Sequence, residues 1–202
     1  MFVRKRRFGA LIVCCGLLSL APMAGAVDTN PRVDVTIAGR GKVTIELYKK
    51  EAPKTVGHFL ELAKVGFYDG ILFHRVVPEF VVQAGDPASR NMTPEEIKLK
   101  DDHGGGTSGL GAGGSGANGS SANIPFESNE KTHEPGTISM ALSSPHSATG
   151  DSQFFINLKP NHTLDGDFCV FGKVVKGMDI VLKIKRGDKI TSIRPAAKKA
   201  AK

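Results

Sequence analysis

Val33-Asp34-Val35-Thr36-Ile37 and Val43-Thr44-Ile45-Glu46-Leu47 both alternate apolar with polar residues. A two-residue period puts one face of each run in a core and the other in water, the pattern of antiparallel strands. Gly39 and Gly41 lie between the runs and suit a hairpin. Pro53 comes next, a good first residue for a helix because its missing N–H would have no partner there. Val56, Phe59, Leu60 and Ala63 then recur at i, i+3, i+4 and i+7 as one apolar stripe, and Gly66 fits just past the end. Two neighbouring strands followed by a helix disfavour a doubly wound parallel sheet. Further along, 73–85 predicts two short strands, and 137–142, 153–158, 168–175 and 189–193 predict one each. A second helix is predicted over 178–184, stopped by Gly187. Many short strands between turn residues predict a sandwich or a barrel, with two helices to cover its open ends.

The chain has 202 residues, 40% hydrophobic and 23% charged. One domain with a real core fits these figures; a polytopic membrane protein, a collagen-like chain or a wholly disordered one does not. The formal net charge is +7, but Arg4, Lys5, Arg6 and Arg7 open the chain and four more cations fall in 194–202 with no acid. The body between is close to neutral, so the excess charge does not call for a nucleic-acid-binding patch, and no nucleic-acid partner is expected. The basic start, the apolar stretch 8–20 and Ala24-Gly25-Ala26 read as a secretory signal peptide over 1–26, removed before Val27. Pro22 breaks that stretch, which is short for a span of about 20 residues. No stable membrane association is expected after cleavage. The organisation expected is a signal peptide (1–26), one domain (27–193) and a basic disordered tail (194–202). Cys169 is then the single cysteine of the mature chain, so no intramolecular disulfide forms, and its apolar neighbours make it a small buried hydrophobe.

Residues 104–123 are almost all Gly, Ser, Ala and Asn, with Leu110 the one large apolar residue. Such a segment buries too little surface to offset its ordering entropy, which predicts a flexible surface loop whose removal changes little. It contains G-x-G-x-x-G from Gly109, but no helix follows, so nucleotide binding is not supported. The six histidines show no metal-ligand spacing with one another or with cysteine, so no metal is expected. No G-x-S-x-G is present to support a hydrolase elbow.

The informative stretch is Phe73-His74-Arg75-Val76-Val77-Pro78-Glu79-Phe80-Val81-Val82-Gln83-Ala84-Gly85-Asp86. It sets a lone Arg among apolar residues, either snorkelling at a strand end or fixed for a ligand. Ser152-Gln153-Phe154-Phe155-Ile156 reads alone as a core strand. Together with G-T-I-S-M-A from Gly136 and L-D-G-D-F-C-V-F-G-K-V from Leu164, these stretches resemble the cyclophilin family of peptidyl-prolyl isomerases, in its periplasmic bacterial branch. The resemblance covers roughly 33–193. It implies a mainly β fold: a closed eight-stranded antiparallel barrel capped by two α-helices. It implies an enzyme that accelerates X-Pro isomerisation in exported proteins, working as a periplasmic monomer on proline-containing polypeptides without metal or cofactor.

The resemblance makes Arg75 the catalytic residue. It places Phe80, Val81, Phe155 and Leu164 around the substrate proline ring, with Gln83 on the substrate backbone. Ala141 and Gln153 line the groove, backbone groups near Ala141 and Leu142 align the peptide, and Phe168 belongs to the same site. Phe168 stands where the family commonly has His, Thr163 where it has Trp, Leu142 where it has Asn and Glu79 where it has Gly. A peptide-binding or chaperone module without turnover is the second reading; loss of Arg75 would have favoured it.

Overall fold

The computed structural model describes residues 30–99 and 110–197. The expected signal peptide, the part 104–109 of the Gly-rich segment and the end of the basic tail lie outside the described residues. The chain runs β1 (Arg32–Ile37), β2 (Gly41–Leu47), α1 (Pro53–Lys64), β3 (Arg75–Val77), β4 (Val81–Ala84), α2 (Pro94–Leu99), β5 (Thr137–Met140), β6 (Phe154–Asn157), β7 (Val170–Lys176), α3 (Met178–Val181) and β8 (Ile190–Pro195).

All eight strands form one antiparallel sheet in the order β3-β4-β6-β5-β7-β2-β1-β8. The opening hairpin pairs Val35 with Val43, and its Gly39 and Gly41 take positive φ in the turn. Val33, Val35, Ile37, Val43, Ile45 and Leu47 are all buried, as the period-two pattern requires.

The expected closed barrel is a curled sheet whose regular ladder ends at β3 and β8 without pairing them. The segment before β3 bonds the segment entering β8: Gly70 N–H donates to the Ile190 carbonyl at 2.8 Å and Phe73 N–H to that of Asp188 at 2.9 Å. The pairing stops at His74, whose carbonyl accepts Arg186 Nε at 2.9 Å, a side chain taking the place of the next rung. Leu72, Ile97 and Leu110 form a small buried cluster there, with Ala88 and Met92 packed against it.

Helix α1 buries Thr55, Val56, Phe59 and Ala63. Its first amides find an acceptor far away in sequence. Glu127 takes Lys54 N–H at 3.0 Å, Thr55 N–H at 2.7 Å and the Thr55 hydroxyl at 2.8 Å, a carboxylate at the positive end of the helix. Phe59 packs on Tyr68, Phe154 and Phe171 with ring centroids 5.1, 5.6 and 5.2 Å away. Cys169 is buried, and burial pushes its thiol up to about 11. The helix expected over 178–184 is α3 alone, because after Leu182 N–H bonds Met178 the next bonds tighten to Lys183–Ile180 and Ile184–Val181. Helix α2 was not expected. Thr93 and Glu96 form a reciprocal capping box at its start, Thr93 N–H to Glu96 Oε2 at 2.6 Å and Glu96 N–H to Thr93 Oγ1 at 3.2 Å.

Truncating Phe59 to Ala empties the centre of the aromatic cluster. Urea unfolding is expected to show a loss of about 3–5 kcal/mol.

Candidate active site

The pleat of β4 and β6 divides their residues between core and site. Val82, Ala84, Phe154 and Ile156 are buried in the core. Val81, Gln83 and Phe155 alternate with them and line a groove of about 690 Å³ on the other face. Arg75 stands opposite Gln83, and Gln83 opposite Phe155, so three strands present one cross-strand row.

A chain of polar contacts runs along the groove. Arg75 Nη1 donates to Gln83 Oε1 at 3.4 Å, Gln83 Nε2 to Gln153 Oε1 at 3.2 Å, and Gln153 Nε2 to the Gly113 carbonyl at 2.9 Å. The Arg75 guanidinium carbon lies 5.7 Å from the Phe80 ring centroid, within cation–π range. The preceding His74 is buried, and burial pushes its imidazole down to about 4 against the opposing charge of Asp86. It is therefore neutral at ordinary pH and sets no second cation beside Arg75.

Phe80, Val81, Phe155, Leu164 and Phe168 make the apolar end. Phe168 meets Phe155 edge to face at 5.9 Å. The turn bearing Phe80 is stapled by its own carbonyl, which accepts Leu158 N–H at 2.8 Å and Asn161 Nδ2 at 3.2 Å. Glu79 in that turn has φ of 61°, a left-handed conformation that glycine adopts at the least cost, and its carboxylate pairs with Lys159 at 2.8 Å. Ala141 and Leu142, just past β5, line the opposite side, where Ala141 N–H donates to the Gln153 carbonyl at 3.0 Å. All ten residues singled out from the sequence thus face one groove; Thr163 does not line it.

A further wall comes from the Gly-rich segment, through Gly111, Ala112, Gly113, Ser121 and Asn123. The flexible loop expected there is, over 110–123, a strapped one. Asp86 is completely buried and accepts Gly111 N–H at 2.6 Å and Gly113 N–H at 3.3 Å. Asp151 accepts Ser115 N–H at 2.7 Å, Ala122 N–H at 2.8 Å, His58 Nε2 at 2.7 Å and the Ser115 hydroxyl. A Cβ at Gly113 would overlap the Asp86 carboxylate, and one at Gly114 that of Asp151. Apolar burial alone would leave this segment loose, but it is held by bare amides on two buried carboxylates. Asp86 and Asp151 were missed for that reason. The available signal was a glycine run, rich in unshielded N–H groups, in a chain with acids beside its strands.

Burial pushes the Asp151 carboxyl up, but the hydrogen bonds from His58, Ser115 and Ala122 outweigh it and bring it to about 2. Its folded value lies below the ordinary 3.8, so its contribution is complete above that value and fades as pH falls from about 4 to 2. An acid-unfolding series is expected to lose part of its slope in that window in Asp151→Asn. Excising 104–123 is expected to lower stability as well, by stranding both carboxylates.

Comparison with known proteins agrees with this geometry. The family model described as cyclophilin type peptidyl-prolyl cis-trans isomerase/CLD matches residues 32–200. Peptidyl-prolyl cis-trans isomerase ppi1 of Schizosaccharomyces pombe is 40% identical over 142 residues, 69% of this chain and 76% of that one. Peptidyl-prolyl cis-trans isomerase B of Bacillus subtilis is 39% identical over 153 residues, 76% of this chain and 90% of that one. The crystal structure of a Cryptosporidium parvum cyclophilin-type isomerase superposes with a TM-score of 0.67 over 84% of this chain and 99% of its own, at 23% identity, a likeness of fold. A second structure of that protein, in the presence of the dipeptide Ala-Pro, gives 0.64 over 82% of this chain and 99% of its own, at 24% identity. The chain belongs to the cyclophilin-type peptidyl-prolyl cis-trans isomerases.

Proposed function

We propose that the groove isomerises X-Pro bonds by Arg-assisted rotation, and that the clients are exported proteins. The observation that carries the mechanism is the guanidinium of Arg75 held beside Phe80 and Gln83 at the mouth of an apolar pocket. A peptide C–N bond resists rotation by about 18–20 kcal/mol because the nitrogen lone pair is delocalised into the carbonyl. In the twisted transition state that lone pair returns to nitrogen. A cation donating a hydrogen bond there stabilises the twisted state more than the planar one, which is what lowers a barrier. Arg suits the role because it stays charged at any working pH, so no proton transfer is called for.

Phe80, Val81, Phe155, Leu164 and Phe168 hold the proline ring while the acyl side turns. Gln83 and Gln153 present amides to the substrate backbone, and backbone groups at Ala141 and Leu142 align the peptide. The Ala-Pro dipeptide present with the Cryptosporidium protein has the chemistry that such a pocket takes. The working form we propose is a periplasmic monomer that acts on proline-containing polypeptides.

Isomerisation of an Xaa-Pro peptide by purified Arg75→Ala is expected to fall about a hundredfold with circular dichroism unchanged, and Arg75→Lys is expected not to restore it. Wild-type turnover in Arg75→Ala would remove the mechanism. Export has its own check. N-terminal sequencing of protein from the periplasmic fraction is expected to begin at Val27, and a chain found only in the cytoplasm with residues 1–26 intact would overturn it.

A further inference from the structure

His133 does not line the groove, yet it touches Phe155 and the turn that bears Leu164. Its side chain is completely buried, with the ring nearly parallel to Phe155, at 12° and 5.9 Å between centroids. Its Nδ1 lies 2.8 Å from Asp165 Oδ1, and the same oxygen accepts its backbone N–H at 2.7 Å. A carboxylate cannot donate, so Nδ1 carries the proton and the plane of the ring is set by that bond. Asp165 directly follows the turn His162–Leu164 that presents Leu164, and its other oxygen is 2.9 Å from His162 Nδ1. The His133 carbonyl accepts Asn161 N–H at 2.8 Å, closing the turn onto the same residue.

Nε2 is buried with no hydrogen-bond partner among the described residues. Burial lowers the imidazole pKa while Asp165 opposes the shift. A charged ring would bury an N–H without an acceptor at Nε2, so the neutral ring fits this site, and its flat face is what Phe155 meets.

We infer that His133 is a positioning residue, whose stacked ring holds Phe155 in the orientation that receives the substrate proline, with Asp165 fixing the plane of the stack. The inference rests on the assignment of Phe155 to the proline pocket. It separates His133 from an ordinary core histidine, which would support stability alone.

The test compares KM and kcat on an Xaa-Pro peptide for the full chain and its variants His133→Ala, His133→Phe and His133→Asn. Phe keeps a ring against Phe155 and loses the donor to Asp165. Asn keeps a donor near the Nδ1 position and loses the ring. His133→Ala is expected to raise KM about tenfold with kcat within about twofold of the parent. His133→Phe is expected to recover KM to within about threefold, and His133→Asn to stay near the Ala value. Ile193→Val, a core change on β8, is expected to lower Tm and leave KM alone. A parental KM in His133→Ala overturns the inference. So does a Phe variant no better than the Asn variant, a comparison that holds even if the Ala variant does not fold. A parental KM in Phe155→Ala would instead show that the pocket assignment itself has failed.

Discussion

Successive side chains of a strand point to opposite faces of its sheet, and β4 and β6 put both faces to use. One face sends Val82, Ala84, Phe154 and Ile156 into the core, and the other lines the groove with Val81, Gln83 and Phe155. A slip of one residue would exchange the two sets, setting Gln83 in the core and the core apolar groups in water. Burial therefore locks the register, and the locked register places Arg75, Gln83 and Phe155 in one row across three strands. The site needs no separate device to align its central residues; it inherits their alignment from the packing behind it.

What the pleat does not supply is the far wall. That comes from a segment with almost no side chains, organised by two acids that could not be buried without donors. Asp86 and Asp151 collect backbone N–H groups from the glycine run, and the glycines permit an approach that any Cβ would block. Asp151 also binds His58 on α1, so helix, wall and groove meet at one carboxylate. A flexible composition and a defined wall are compatible because the order comes from charge satisfaction and not from apolar burial.

The edge of the sheet follows a similar logic. Residues 70–73 and 187–190 bring the two ladder ends into backbone contact, and Arg186 ends that contact at His74, one residue before Arg75. Ile97 of α2 and Leu110 of the Gly-rich segment pack with Leu72 at this seam. Strand β3 thus begins where sheet pairing gives way to side-chain hydrogen bonding, leaving Arg75 facing the groove.

Much of this was legible in the linear order of residues. The hairpin at Val33–Leu47, the stripe of α1 and the short strands announce themselves because period and turn chemistry are set by near neighbours. The ten groove residues followed from motif resemblance, since such motifs keep their residues in order along the chain. The capping box at Thr93 and Glu96 was equally local, though no helix was expected there. The open ladder, the straps on the glycine segment and the stack of His133 on Phe155 were not legible. Each depends on partners distant in sequence: Asp86 reaches a glycine 25 positions on, and Asp151 a serine 36 positions back. No periodicity encodes such a pairing, because a buried charge takes whichever donor the finished fold brings within hydrogen-bonding distance.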